Sequence, residues 1–142
     1  MNRDETRARA RAIVEALGEA RYGDFFDGLA EDVETVFIGQ QSPFCGTYVG
    51  KAARKQLGKQ VLAAFAEIRL QIDDVIAEPD KAVVLARGSG RSRRLGMPYN
   101  NTYALVLYFR DGLVARWIEY LDTQLVALAV AVEAIAEAAE EA

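Results

Sequence analysis

Histidine is absent from all 142 residues. That omission excludes imidazole general bases, His-containing catalytic triads and His-ligated metal sites. Cysteine occurs once, as Cys45, so no intrachain disulfide and no cysteine-cluster metal site can form. With no histidine to activate its thiol, Cys45 reads as a small residue of core or loop. Neither a metal nor an organic cofactor is expected. Any acid–base chemistry must come from carboxylates, tyrosines, lysines or arginines.

Clustered positive charge is also lacking. The net charge is −4, and phosphate backbones are bound by grouped Lys and Arg. The nearest approach is Arg91, Arg93 and Arg94 in one connection, which reads as a solvated loop; no nucleic-acid partner is expected. Long apolar runs are missing too. Leu125 to Val132 is the longest, far short of a bilayer span of about 20 residues. Met1 to Arg11 is crowded with Arg, Asp and Glu and does not resemble a signal peptide. No membrane partner and a cytoplasmic location are therefore expected.

What is present suits one domain over residues 1–142, since hydrophobic residues at 51% can supply both a core and a pocket wall. Residues 4–21 predict a helix, with Ala10, Ile13, Val14 and Leu17 recurring on one face. Gly23-Asp24 is read as its break, with Asp24 capping a short second helix to residue 30. Residues 33–39 suit a strand, 40–50 a loop, and 51–67 a third helix buried through Leu57, Val61, Leu62 and Phe65. Four strands follow, at 68–77, 81–91, 99–109 and 113–121, with Pro79-Asp80 and Asp111-Gly112 as turns. Asp122 reads as the N-cap of a C-terminal helix from about 123 to 140. Segregated helices and strands predict an α+β fold with a mostly antiparallel sheet.

Within this pattern, Gly96-Met97-Pro98-Tyr99-Asn100-Asn101-Thr102-Tyr103, then Phe109-Arg110-Asp111-Gly112-Leu113-Val114, then Glu119-Tyr120-Leu121-Asp122 resemble the final hairpin of SnoaL-like proteins. Gly23-Asp24 and the Gly46-x-Tyr48-x-Gly50-Lys51 stretch fit the same family, which belongs to the nuclear-transport-factor-2-like superfamily. The resemblance spans about residues 5–126. It implies a cone, with a strongly bent sheet wrapped around the first helix and an internal cavity. It does not fix the activity, because the superfamily includes ketosteroid isomerase, polyketide cyclases, limonene epoxide hydrolase, scytalone dehydratase and the non-catalytic transport factor.

Alternation puts Trp117, Glu119 and Leu121 on one face of the last strand, and Tyr99, Asn101, Tyr103, Leu105 and Leu107 on one face of its neighbour. Alternation alone does not say which face is concave; the resemblance implies that Trp117, Glu119, Asn101 and Tyr103 point inward. The expected cavity is then lined by Asn101, Trp117, Leu105, Phe37, Leu17 and Ile13 as ligand-binding residues. Glu119, Tyr103 and Arg87 are its candidates for chemistry. Glu119 is the acid–base candidate, because burial raises a carboxyl's pKa toward neutrality. Its alternative is a structural role, paired with Arg87 or bonded to Tyr103. Arg87, Ser89 and Arg91 alternate together and reach either the pocket or solvent. Tyr99 and Tyr103 are hydrogen-bond donors or satisfied core tyrosines, and Trp117 is pocket wall or core.

Departures from characterised branches narrow the reading. The resemblance to ketosteroid isomerase calls for a first-helix tyrosine and a first-strand aspartate, where this chain has Ile13, Val14 and Ala16, and Phe37 and Ile38. The epoxide hydrolase pattern survives only at Glu119 and Arg87, and scytalone dehydratase depends on histidine. The expectation is a small hydrophobic ligand with proton-transfer chemistry of the isomerase, cyclase or hydrolase class. The alternative is a non-catalytic binding or interaction module. Val106, Tyr108, Ile118 and Tyr120 on the opposite face predict a homodimer, with cover by the C-terminal helix as the alternative.

Overall fold

Asn2 opens the chain's first helix by accepting a hydrogen bond from the Glu5 amide at 2.8 Å, while its own amide group donates to the Glu5 carboxylate. This reciprocal cap starts α1, Arg3–Gly18. The structure, a computed structural model, describes residues 1–93 and 95–130. Helix α1 ends three residues before the predicted boundary. Ala20 takes φ +59°, Arg21 N–H bonds back to Ala16 at 2.8 Å and Ala20 N–H to Leu17 at 3.2 Å. That is a Schellman-type ending with alanine where glycine is usual. The break therefore precedes Gly23, and α2, Tyr22–Asp27, has no side-chain cap. Asp24, expected as that cap, lies inside the helix and pairs with Arg21 at 2.8 Å.

The sheet begins earlier than predicted, with β1 at Leu29–Phe37. The stretch 40–50, expected as loop throughout, contains a short strand β2, Gly46–Val49, antiparallel to β1. Helix α3, Lys51–Ala64, stops short of 67, because Phe65 already belongs to β3, Phe65–Glu78. Leu62, expected in the buried face, is exposed. Strands β4, Lys81–Ser92, β5, Asn101–Arg110, and β6, Leu113–Leu121, complete the sheet. The turn between β5 and β6 is the predicted Asp111-Gly112. Both residues have positive φ, +53° and +78°, as a two-residue type I′ hairpin requires.

The six strands form one curved, open sheet in the order β2-β1-β6-β5-β4-β3. Every pairing is antiparallel except β1 with β6. Inward residues of β4 are the even-numbered ones, Ala82, Val84 and Ala86. On β3, a bulge between Ile72 and Asp74 changes the parity, so that Val75 and Ala77 point inward while Asp73 and Asp74 are exposed. Helix α1 fills one half of the concave face. Ala10, Ile13 and Val14 pack there on Val75, Val84, Leu107 and Trp117. Thr6 ties the helix down by donating to the Pro79 carbonyl at 2.7 Å.

After β6, Asp122 accepts from the Leu125 amide at 3.0 Å, the predicted N-cap. Residues 123–130 are helical, and Val126 and Ala129 join a second apolar cluster with Phe44, Leu57, Phe65 and Tyr99. The remainder of the predicted helix lies outside the described residues. Among the described residues no helix is long and apolar enough to cross a membrane.

One glycine fixes how α1 seats. A Cβ on Gly18 would stand 2.9 Å from the Leu70 Cβ, an atom that no side-chain rotation can move. Alanine is favoured over glycine in helices by about 1 kcal/mol, but overpacking costs roughly 1–3 kcal/mol. Gly18→Ala is expected to lower stability, seen as a lower urea midpoint with an unchanged slope. A raised midpoint would refute this packing.

Candidate functional site

The other half of the concave face is not filled by α1. There, α2 and α3 stand off the sheet and enclose a cavity of about 550 Å³. Leu70, Leu105, Tyr103 and Glu119 form its sheet wall, Leu17 and Phe37 its sides, and Phe25, Phe26, Arg54 and Gly58 its helical wall. Lys55, Lys59, Asp27 and Tyr22 also line it.

Glu119 is where alternation and the resemblance placed it, on the inner face of β6. Its sheet neighbours are Leu105 on one side and Phe37 on the other. The residue is 9% exposed, and Trp117 Nε1 donates to its Oε1 at 3.2 Å. Its second oxygen makes no hydrogen bond, yet no partnerless side-chain polar atom is sealed from solvent among the described residues. That oxygen therefore opens onto the cavity. Burial pushes the Glu119 pKa up; the nearby Arg54 guanidinium and the indole donor oppose this without overcoming it.

Five expected cavity residues, Leu17, Phe37, Tyr103, Leu105 and Glu119, line the cavity together. Three others do not. Ile13 and Trp117 lie in the core cluster beneath α1. Trp117 meets the Phe25 ring edge-on, centroids 5.6 Å apart. Asn101 faces inward, but its amide is fully used. Nδ2 donates to the Tyr99 hydroxyl at 2.9 Å and the Asp122 carbonyl at 3.2 Å. Oδ1 accepts from the Thr102 and Asp122 amides at 2.8 and 2.9 Å. With both donors and both lone pairs occupied, Asn101 is a strut between β5 and the end of β6.

The placement of Arg87 needs correcting as well. Arg87 is an odd-numbered residue of β4 and points to the convex face. There it grips Asp73 through Nε and Nη2 at 2.8–3.1 Å. Ser89 and Arg91 share that outer face, with Arg91 paired to Glu67 at 3.2 Å. No pair between Arg87 and Glu119 exists. Tyr103 does face the cavity. Burial holds its phenol pKa far above the usual range, with the neighbouring Tyr99 and Glu119 adding to the effect. It is thus a neutral hydroxyl at any ordinary pH. Gly88, on the adjacent strand, leaves the room it needs: a Cβ there would lie 2.7 Å from Tyr103 Cε2.

The arginine of the site is Arg54, which the sequence reading missed. It lies on α3 three residues before Leu57 and is 7% exposed. Its guanidinium carbon sits 5.1 Å from the Phe25 ring centre. The available signal was position: 54, 57, 58 and 61 fall on one helical face, so that a charge there shares the buried stripe. Burial lowers the Arg54 pKa and Glu119 raises it. Lys55, over the Phe26 ring at 5.1 Å, and Lys59 were likewise unforeseen. Cys45 Sγ donates to the Ile38 carbonyl at 3.1 Å and lies 3.4 Å from the Ser42 hydroxyl. No group of metal-ligating side chains occurs among the described residues.

Among proteins of curated function, none matches this sequence. Several solved structures share the fold. A nuclear-transport-factor-2-like protein of Burkholderia thailandensis aligns with TM-score 0.78 at 20% identity, over 92% of this chain and 98% of its own. A Jannaschia protein provisionally assigned as a SnoaL-like polyketide cyclase gives 0.74 at 16%, over 91% and 96%. TerC, co-crystallised with polyporic acid, gives 0.76 at 20%, over 84% and 93%. At these identities the likeness establishes architecture alone. The sequence model of the SnoaL-like domain matches residues 10–117, from the middle of α1 to the indole beneath the cavity, and the chain belongs to that family.

Proposed function

We propose that the cavity binds a small, mainly apolar organic molecule and that Glu119 transfers a proton to or from it. The observation that carries this reading is a buried carboxyl with one oxygen held by Trp117 and the other facing about 550 Å³ of largely apolar space. That volume lies within the range of small-molecule sites, about 300–1,000 Å³. A raised pKa keeps Glu119 protonated beyond the ordinary carboxylic range. In that state it is a general acid, and after giving up its proton it is a base strong enough to take one back. Tyr103 supplies a neutral donor on the same wall. Isomerase, cyclase and hydrolase reactions all use such a transfer. TerC's crystallisation with polyporic acid is consistent with a fold that accommodates organic ligands.

A binding module without catalysis is the second reading. It is favoured by the absence, among the described residues, of another carboxylate from the sheet wall, the only other lining acid there being Asp27 on α2. Glu119→Gln separates the two, since it preserves shape and the acceptor for Trp117 but removes the proton. Once a substrate has been found by screening, the catalytic reading expects turnover to fall roughly 100-fold or more with affinity little changed. Unchanged turnover would leave binding as the function.

The same variant is informative before any ligand is known. In the unfolded chain Glu119 releases its proton near 4.5, whereas the folded protein holds it to higher pH. The native state thus binds the extra proton across that window, and stability falls as pH rises through it. Glu119→Gln lacks this dependence. Its melting temperature relative to the parent is expected to rise from pH 5 to pH 8. A constant difference would mean that Glu119 ionises as readily in the fold as out of it.

We also propose a homodimer through the convex face. Of the residues expected to form that face, Tyr108 and Tyr120 are exposed while Ile118 is buried; Leu85 and Ile76 add exposed apolar surface beside them, more than strands facing water usually carry. Light scattering at micromolar concentration is expected to give twice the chain mass of 15.6 kDa; a monomer mass would reject this.

A further inference from the structure

We propose that the ligand of this cavity is an apolar carboxylate whose anionic end is received by Arg54. The inference rests on the cavity being a ligand site and specifies what enters it.

Arg54 is almost wholly buried, yet among the described residues it makes no hydrogen bond and no ion pair; its guanidinium lies over the face of Phe25. Burying a charge without hydrogen-bonding partners is strongly unfavourable. Its N–H groups are not sealed in protein, because no partnerless side-chain polar atom is shut off from solvent among the described residues. They open into the cavity that the residue lines. A guanidinium stays charged in proteins, so the cavity wall carries a fixed cation with unused donors.

The surrounding helix makes room for it. Gly58, one turn further along α3, also lines the cavity. A Cβ there would come within 3.2 Å of Arg54 Nη1. Glycine inside a helix costs about 1 kcal/mol relative to alanine, a sacrifice of helix stability that leaves the guanidinium unobstructed. Lys55 and Lys59 line the same region of α3, and neither forms an ion pair among the described residues. Against these three cations the only acids lining the cavity among the described residues are Asp27 and Glu119, although the chain as a whole is acidic. Such local excess concentrates anions at a cleft.

Glu119 does not answer the charge. Its oxygens are outside ion-pair distance of the guanidinium, and one is engaged by Trp117. A carboxylate is the anion that fits best. Two parallel N–H groups of a guanidinium match its two oxygens. The apolar remainder of the wall, Leu17, Phe37, Leu70 and Leu105, suits a single charged head on an apolar body better than a phosphate with several oxygens to satisfy. Anchored at Arg54, such a ligand would reach across the cavity toward the free oxygen of Glu119.

The probes are 2-naphthoate and its neutral counterpart 2-naphthamide, followed by isothermal titration. Trp117, the only tryptophan, gives a second readout through its fluorescence. Naphthoate is expected to bind roughly tenfold or more tightly than the amide, the scale of one charge-assisted pair. Arg54→Met should abolish that preference and leave amide affinity within about threefold. Arg54→Lys keeps a charge but not the fork, and should weaken naphthoate alone; it serves if the methionine variant does not fold. Equal affinities in the parent would overturn the carboxylate assignment and leave the cavity's binding role intact. Equal loss of both probes on changing Arg54 would make the residue structural and overturn the assignment too. Binding of neither probe would overturn the binding reading, and this proposal with it.

Discussion

The indole of Trp117 is 1% exposed, and its N–H has a single acceptor, Oε1 of Glu119. A buried indole N–H without a partner would forfeit a hydrogen bond in a medium where water cannot replace it. The carboxylate is therefore needed by the core as well as by the cavity. The ring also meets Phe25 edge-on, and Phe25 in turn lies beneath the Arg54 guanidinium. One aromatic pair thus connects the buried carboxyl on β6 with the buried guanidinium on α3. It also holds α2 against the sheet at the point where α1 ends. Moving the indole would disturb both charges and the wall between them.

The two charges share a low-dielectric space without touching. Each is stabilised in its ionised form by the other, and each is penalised by its own burial. For Glu119 burial prevails, and its pKa rises. Burial prevails for Arg54 as well and lowers its pKa, but a guanidinium starts so far above neutral pH that it stays charged. A direct ion pair would have locked Glu119 in its charged form, as Arg87 does for Asp73, whose pKa is held down by that contact. Separation is what keeps the cavity carboxyl titratable and the cavity guanidinium unfilled.

How much of this could be read from sequence depended on whether a local pattern was the cause. Strands β4 to β6 were legible because side chains alternate and Asp111-Gly112 demands its turn, which groups Tyr103 with Leu105 and Trp117 with Glu119; that these faces point inward came from the resemblance to SnoaL-like proteins and not from the alternation. Helix α1 was overextended because Ala20 adopts a left-handed conformation that the residue type does not announce. Arg87 was assigned inward because only the strand's alternation was visible, not its parity. That parity is settled by β3, whose bulge turns Asp73 outward to meet it. Trp117 and Asn101 share the inner face with Glu119, but facing inward is not the same as reaching the void. α1 covers one, and Tyr99 with the Asp122 backbone consumes the other. Arg54 escaped notice because a charged helical residue ordinarily marks the solvent side, and only its place in the Leu57 stripe says otherwise.

The shape of the cavity is finally a matter of backbone. Gly58 lines the cavity from α3, and Gly88 in β4 lies against Tyr103 of the sheet wall. A Cβ at Gly88 would clash with Tyr103 at 2.7 Å, and one at Gly58 would press on Arg54 Nη1 at 3.2 Å. Neither has a positive φ, so conformational freedom is not the reason for glycine at either place. Both weaken the element they sit in, since glycine in a helix or strand interior is worth roughly 0.5–1 kcal/mol less than alanine. A chain stabilising its core alone would gain by filling such positions. Keeping both open places the guanidinium and the phenol where they face one volume, beside the carboxyl of β6. That volume is what the second half of the concave face holds in place of a packed helix.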